Sequence, residues 1–174
     1  AYLTLPSFNA TGNTFVLLDF DHICKVSFFD RAQIQFSIDG GTTWGLIDSS
    51  MYLGTGLTFK LSNNSSFSSF DYTDWLPGPG LDTVTPTNTW WKHENFDISS
   101  AVGGQADVRL RFIVYDYDAG FPNGMAGNYG WLLDNINICM APCELVPPSI
   151  VVNTSLTGTI YNTGPYTPVA AVTD

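Results

Sequence analysis

The sequence predicts an all-β protein folded as an antiparallel β-sandwich, most closely a jelly roll. Strand-length stretches that are apolar or alternate apolar with polar residues recur along the chain, and clusters of Gly, Pro, Asn, Asp and Ser separate them. Almost no segment has the apolar period of a helix. Many short strands joined by turns favour two packed antiparallel sheets.

The first half of the chain contains two predicted strands and a turn. Phe15 to Leu18 is a continuous apolar run, which predicts a strand buried on both faces. A later stretch alternates, and its apolar face would carry Ala32, Ile34, Phe36 and Ile38. The turn Asp39 to Thr43 follows with two glycines that can adopt positive φ, so we predict a hairpin whose second strand begins at Trp44.

The second half contains further predicted strands after an irregular stretch at residues 48 to 89. Trp90 to Phe96 is a predicted strand, and residues 97 to 102 predict one helical turn closed by two glycines. The clearest strand runs from Val108 to Tyr115. Its inward face would carry Val108, Leu110, Phe112 and Val114.

A last predicted strand, Gly130 to Ile138, contains one residue that does not suit its position. The two-residue period places Asp134 on the same face as Leu132 and Ile136, among aliphatic side chains. A carboxylate buried there without a partner would cost several kcal/mol. We therefore expect Asp134 to be ion-paired, hydrogen-bonded or bound to a cation.

Charge and the lengths of the apolar runs each exclude one class of partner. The 174 residues include 16 acidic and six basic side chains, a formal net charge of −10. Such a field repels phosphate backbones, so we expect no nucleic-acid binding, and it suits divalent cations. No apolar run approaches the length of a transmembrane helix, so we expect no membrane insertion.

The chain is expected to contain one complete module and part of another. Prolines bracket a linker at Pro142, Pro147 and Pro148, and from Ser149 the composition shifts to Val, Thr, Asn and Tyr. We predict a jelly-roll module over residues 1–145, and a linker with the start of a following β-module over 146–174. The first residues lack a signal peptide, so the chain is either intracellular or a mature or excised segment. Its composition favours a secreted or cell-surface protein.

Three cysteines leave two alternatives open. Cys24, Cys139 and Cys143 cannot all pair within one chain. One bridge, Cys24–Cys139 or Cys139–Cys143, would suit an oxidising compartment. In the other interpretation Cys24 is a small buried apolar residue.

Several short motifs occur in an order that resembles a known group of modules. They are the strand ending at His22, Phe29-Asp30, Ile38 to Trp44, Phe96 to Ser99, Val108 to Phe112, and Gly130 to Ile136. The chain resembles the cleaved-adhesin domains of gingipains and, more remotely, MAM domains. The resemblance covers about Phe15 to Ile138. It implies a non-catalytic jelly-roll module with structural calcium, from a surface protein secreted through the type IX system of Bacteroidetes.

Five aspartates are candidate calcium ligands, because calcium takes six to eight oxygen ligands. They are Asp19 and Asp21, Asp116 and Asp118, and Asp134. If the first and last strands of the module lie side by side, one residue of each pair would meet Asp134 at a sheet edge. In the alternative these are turn aspartates, and Asp134 is satisfied by backbone amides or by Arg109 or Arg111.

Aromatic side chains suggest a second type of site. Tyr72, Trp75, Trp91 and Tyr129 could form a flat platform that stacks on a sugar, although aromatic residues in β-sandwiches more often belong to the core. His22, at the end of an apolar strand, and His93 are expected to be ordinary hydrogen-bonded histidines.

The motifs indicate a binding module that is not an enzyme. The sequence has no nucleophile elbow, zincin motif or phosphate-binding loop, and its two glutamates are Glu94 and Glu144. We expect an adhesion module of a larger secreted protein whose partner is an extracellular glycan or a surface protein, and which meets the secretion machinery in transit. The alternative is a carbohydrate-binding module attached to a secreted hydrolase.

Overall fold

A computed structural model describes most of the chain. The described residues are 1–26, 30–61, 63, 65–76, 86–115, 130–141, 158–161 and 169–172. The chain divides into two compact units, Ala1–Cys143 and Glu144–Asp174, so the division falls two residues before the predicted boundary. No helix in the described ranges is long and apolar enough to cross a membrane.

The described strands of the first unit form two antiparallel sheets. They are β1 (Tyr2–Thr4), β2 (Phe15–Lys25), β3 (Arg31–Ser37), β4 (Gly45–Leu46), β5 (Lys92–Asp97), β6 (Arg109–Tyr115) and β7 (Gly130–Ala141). One sheet has the order β1-β6-β3-β4 and the other the order β5-β2-β7. Two short helices, α1 (Leu57–Leu61) and α2 (Ser99–Val102), lie between strands.

Alternating apolar residues on β2 and β6 bring the two sheets together. Phe20 is fully buried, and its ring meets Phe112 of the other sheet edge-on, with ring centroids 5.0 Å apart. On β6 the side chains Leu110 and Phe112 point inward, as the sequence pattern predicts. The all-β antiparallel sandwich predicted from the sequence is confirmed.

The burial of β2 differs from the prediction that its apolar run is buried on both faces. Its residues alternate from Phe15 to His22, with Val16 and Leu18 buried but Phe15 and Leu17 only partly covered, whereas His22 to Lys25 are all buried. The continuous apolar run therefore does not mark a strand buried on both faces. β2 is the central strand of its sheet. Along its first part only the face that carries Val16, Leu18 and Phe20 meets the core, and both faces are covered near its end.

The predicted hairpin between β3 and β4 is present. Gly40 and Gly41 have φ of 72° and 90°, values that most side chains avoid. The Asp39 carboxylate accepts hydrogen bonds from the Thr43 amide and hydroxyl and from the Thr42 amide. The bonds from Thr43, together with one from the Ser37 hydroxyl and one from the Thr42 amide, lower the pKa of Asp39 to about 2, so its ionised form is favoured in the turn.

The irregular stretch before residue 77 supplies much of the core. Phe59 of α1, Phe67 and Trp75 are fully buried. Phe67 packs on Phe59, with ring centroids 4.5 Å apart, and its backbone bridges to Ala32 of β3. Sequence analysis missed α1 because five residues are too few to show a helical period.

A β-bulge in β7 overturns the predicted position of Asp134. Asp19 pairs with Asn137, but Asp21 pairs with Asp134, so β7 has one extra residue there. Asn135 takes a φ of 49°, which reverses the alternation. Side chains that pack on the core are Trp131 and Leu133 before the bulge, and Ile136 and Ile138 after it. Asp134 is exposed, so the prediction of a carboxylate among aliphatic side chains is wrong.

The strand register also decides between the cysteine alternatives. Cys24 lies opposite Trp131 on β7, whereas Cys139 lies opposite Leu17, seven residues back along β2. This offset places the two cysteines roughly 23 Å apart, far beyond the reach of a disulfide. Cys24 is a free, buried thiol, as the second interpretation predicted. Cys139 is also a free cysteine and is exposed, so the structure does not form the predicted Cys139–Cys143 bridge; Cys143 itself lies outside the described residues.

In the second unit the described residues form a two-stranded antiparallel sheet. Strand β8 (Gly158–Tyr161) pairs antiparallel with β9 (Val169–Val172), and Gly158 lies opposite Val172. The predicted following module therefore contains β-structure.

Candidate functional site

The outer face of the three-stranded sheet carries a set of polar side chains that we call the polar ladder. Its members are Asp19, Asp21, His93, Asn95, Asp134, Asn135 and Asn137. They face away from the core because they alternate with buried residues such as Phe20 and Phe96. The ladder includes three of the five aspartates predicted to bind calcium.

Hydrogen bonds connect the ladder across all three strands. Asn137 donates from Nδ2 to Asp19 Oδ2 over 3.0 Å, and Asn135 donates from Nδ2 to Asp21 Oδ2 over 2.7 Å. His93 Nδ1 lies 2.8 Å from Asp21 Oδ1 and donates to it. The bonds from Asn135 and then His93 lower the pKa of Asp21, because they favour its ionised form.

Asp21 and Asp134 lie directly opposite each other on β2 and β7, so the structure brings together two of the predicted ligands. Two like charges at such a position destabilise a sheet. A hard cation would remove the repulsion, and the carboxylate oxygens fit the chemistry that calcium requires. Asp134 also accepts a hydrogen bond from the Asn135 amide through Oδ1.

The part of the chain that the structure describes does not complete a metal site. It holds no group of three His, Cys, Asp or Glu side chains placed to bind one ion. Asp116 and Asp118 lie outside the described residues. Calcium therefore stays a prediction in which Asp21 and Asp134 would supply some of the oxygens. Arg109 and Arg111 do not neutralise Asp134, because they lie on the outer face of the other sheet.

Behind the ladder, on the core side of the same sheet, lies a buried hydrogen-bond network. His22 and Glu94 are fully buried, and His22 Nε2 lies 3.0 Å from Glu94 Oε1. Glu94 also accepts hydrogen bonds from the Tyr72 hydroxyl at 2.6 Å and the Tyr52 hydroxyl at 2.5 Å. Trp131 Nε1 donates to His22 Nδ1 over 2.9 Å. We call these five side chains the core network.

The bond from Trp131 fixes the protonation of His22. Because Nδ1 accepts the indole proton, the neutral ring must carry its own proton on Nε2 and donate it to Glu94. Burial lowers the pKa of His22, in spite of the opposing effect of Glu94. Burial and the proximity of Glu94 raise the pKa of Tyr52 and bring that of Tyr72 to about 12. Both tyrosines therefore remain donors.

The core network is structural, since neither ring nitrogen of His22 is free to take a proton from a substrate. Gly54 and Gly56 come so close to the network that an added Cβ would lie 2.5 Å and 2.8 Å from the Tyr52 hydroxyl oxygen. The prediction that His22 is a packed, hydrogen-bonded histidine is confirmed.

Sequence analysis missed the central position of Glu94. A usable signal was present, because the alternation of the predicted strand that ends at Phe96 places Glu94 on the same face as that apolar residue. A glutamate at an inward position predicts a buried acceptor with several donors.

The predicted aromatic platform is not supported as a unit. Trp75 is fully buried and donates from Nε1 to the Trp90 carbonyl oxygen over 2.8 Å, so its assignment to an exposed sugar site is wrong. Tyr72 packs edge-on against Trp75, with ring centroids 4.7 Å apart, and its hydroxyl is bonded to Glu94. Trp91 is partly covered, and Tyr129 lies outside the described residues.

The polar ladder and the core network both include residues of the Gly130 to Ile136 motif, on which the resemblance to adhesin modules partly rests. In the structure the motif forms the start of β7, its bulge and the side chains on either face. These roles explain the motif by folding alone, so they do not identify a family. A comparison with models of known families and with curated proteins finds no match for this chain.

Proposed function

We propose that the first unit is a non-catalytic binding module of a larger secreted or cell-surface protein, with an adhesive role. One observation carries this proposal. The buried histidine and carboxylate that could serve chemistry, His22 and Glu94, are closed within the core network, whereas the polar ladder is an open, ordered surface. Such a surface can bind a partner without transforming it.

A surface protein is the better supported class of partner. The ladder presents carboxylates and amides held in fixed positions by the sheet, which suits hydrogen bonding to an exposed polypeptide. Glycan binding, as in a module attached to a hydrolase, has less support because Trp75 is buried. Of the predicted platform, Tyr72 and Trp91 are described and only partly covered, so they remain for that alternative.

Binding of the whole chain to immobilised extracellular-matrix proteins and to a glycan array tests the proposal. We expect protein binding that is lost in Asn135→Ala combined with Asn137→Ala, while Lys60→Ala, an exposed change on α1, leaves binding intact. Binding to glycans alone would support the alternative. Turnover of ester, peptide or glycoside substrates by the purified chain would overturn the proposal.

Structural calcium belongs to the same proposal, and the opposition of Asp21 and Asp134 supports it. A ligand that binds only the folded state at a hundredfold excess over its Kd stabilises by about 2.7 kcal/mol. We therefore expect calcium to raise the melting temperature in wild type and to do so far less in Asp134→Asn. An unchanged melting temperature in calcium and in EDTA would show that this assignment is wrong.

A further inference from the structure

The outer face of the four-stranded sheet carries two neighbouring arginines in a strongly acidic protein. Arg109 and Arg111 alternate on β6 with the core residue Leu110, so both point away from the core. They lie two positions apart on one strand, about 7 Å from each other. A pair of guanidinium groups at this spacing is a natural partner for two carboxylates.

Within the described residues, Arg109 makes one loose ion pair and no carboxylate is recorded against Arg111. Arg109 Nε lies 3.8 Å from Asp107 Oδ1, and this nitrogen makes no hydrogen bond there. Arg111 donates from Nε to Gln35 Oε1 over 2.8 Å. Its guanidinium lies 4.0 Å from the centre of the Trp44 ring, which holds it in place without neutralising it.

The opposite side of the sandwich carries the complementary charge. Asp19 and Asp21 also lie two positions apart on one strand, β2, and also face outward. The inward residues of β2 and β6, including Phe20 and Phe112, meet in the core, so the two outer faces point in opposite directions. The arginine pair and the aspartate pair thus have the same spacing on opposite sides of one molecule.

We propose that the Arg109 and Arg111 face docks on the Asp19 and Asp21 face of a second copy of this chain. Because the two contact surfaces differ, the arrangement is head to tail and continues into an open stack. The net charge of −10 on each copy opposes association, so the contact is weak and depends on the local match of the two pairs. Asp19 and Asp21 belong to the polar ladder, so a second copy and the extracellular partner proposed above compete for the same face. The association test uses the chain alone, so its failure is distinguishable from a failure of the proposed function.

Charge reversal with complementation tests the contact in sedimentation velocity runs over a range of concentrations, with EDTA present so that cations do not occupy the aspartates. Wild type should associate more as concentration rises. Arg109→Glu with Arg111→Glu, and separately Asp19→Lys with Asp21→Lys, should each weaken association by about tenfold or more. An equimolar mixture of the two double variants should restore association. In the mixture, the native arginine pair of the aspartate variant can meet the native aspartate pair of the arginine variant.

Controls separate loss of contact from loss of fold. Lys60→Glu alters an exposed charge on α1, away from both pairs, and should associate like wild type. If a double reversal melts early, the milder Arg111→Gln and Asp21→Asn replace it and should show the same direction of change. A wild type that stays monomeric at all concentrations, or variants that weaken association without rescue in the mixture, would overturn the proposal.

Discussion

Two histidine–carboxylate pairs connect the same two strands, β2 and β5, on opposite faces of one sheet. His93 and Asp21 lie on the outer face, with side-chain exposures of 54% and 29%, and their nearest atoms are 2.8 Å apart. His22 and Glu94 lie on the inner face, with exposures of 0% and 0%, at 3.0 Å. The geometry is nearly the same, so the difference between the pairs is their surroundings.

Burial decides what each pair contributes. Water screens the outer pair and competes for its hydrogen bonds, so such a pair is worth about 0–1 kcal/mol. The inner carboxylate is closed off from water. Each hydrogen-bond donor that it loses therefore leaves a buried acceptor unsatisfied, which costs the desolvation free energy of that group. The inner pair therefore stabilises the fold, and the outer pair is free to serve recognition.

The largest expected effect comes from removing the charge of the inner carboxylate. Glu94→Gln retains one acceptor oxygen but turns an amide donor toward the donors His22, Tyr52 and Tyr72. The retained oxygen can serve His22 and Tyr72, which share Oε1, so the Tyr52 bond is lost and the other two become bonds to a neutral acceptor. A bond to a charged group contributes about 1.5–3 kcal/mol and a neutral one about 0.5–1.5 kcal/mol, so we expect a loss of about 4 kcal/mol. Urea unfolding of the whole chain measures the change. A loss below about 1 kcal/mol would contradict the central role of Glu94.

The next effect is a difference in pH dependence between core and surface. Burial raises the pKa of Asp71 to about 6, from 3.8, whereas hydrogen bonds lower the pKa of Asp21. Folded protein therefore holds more protons on Asp71 than unfolded protein does between about pH 4 and 6, and this contribution to stability is lost as pH rises through that window. The contribution of Asp21 has the opposite sign and is lost as pH falls below about 4.

Urea unfolding between pH 3 and 7 separates the two carboxyl groups. A shift of about two units corresponds to about 3 kcal/mol, so Asp71→Asn should change the pH dependence between pH 4 and 6 by up to that amount. Asp21→Asn should leave this window unchanged and flatten the profile below pH 4. Parallel profiles for wild type and Asp71→Asn between pH 4 and 6 would contradict the effect of burial.

The close approach of the backbone to the core network predicts a third effect. An added Cβ at Gly54 would lie 2.5 Å from the Tyr52 hydroxyl oxygen and would also overlap Glu94 Oε2. Gly54→Ala should therefore cost about 2 kcal/mol, the range expected for overpacking. Gly104→Ala is the control, since it has nothing within 4 Å but a φ of 76°, and strain there costs about 1 kcal/mol. Equal melting temperatures for the two variants would show that the network can move aside.

The features that depend on local sequence pattern were predicted correctly. Alternation placed Leu110 and Phe112 inside and the arginines outside, and the two glycines after Asp39 placed the hairpin. Alternation failed at Asn135, because one residue with positive φ reverses the faces. The local signal is weak: asparagine adopts positive φ more readily than most residues, but most asparagines do not.

The parts of the site that could not be predicted depend on contacts distant in sequence. Trp75 is buried because the stretch before residue 77 packs into the core, and its hydrogen bond goes to the Trp90 backbone. The core network joins Tyr52, Glu94 and Trp131 through His22, and no local period connects such positions. The polar ladder was found in part. Asp19, Asp21 and Asp134 were grouped because their strands were expected to lie side by side, as β2 and β7 do, but Asp134 was expected on the inner face.

The smallest expected effect lies in the outer pair. His93→Ala removes the bond to Asp21, but Asn135 still donates to the other carboxylate oxygen and water can replace the imidazole. We expect a loss below about 1 kcal/mol at pH 7, measured by urea unfolding beside Glu94→Gln under the same conditions. If His93→Ala and Glu94→Gln cost the same, burial would not be what separates the two pairs. A small loss of stability for His93→Ala would mean that residues of the outer face can change to suit a binding partner, whereas residues of the inner face are needed for folding.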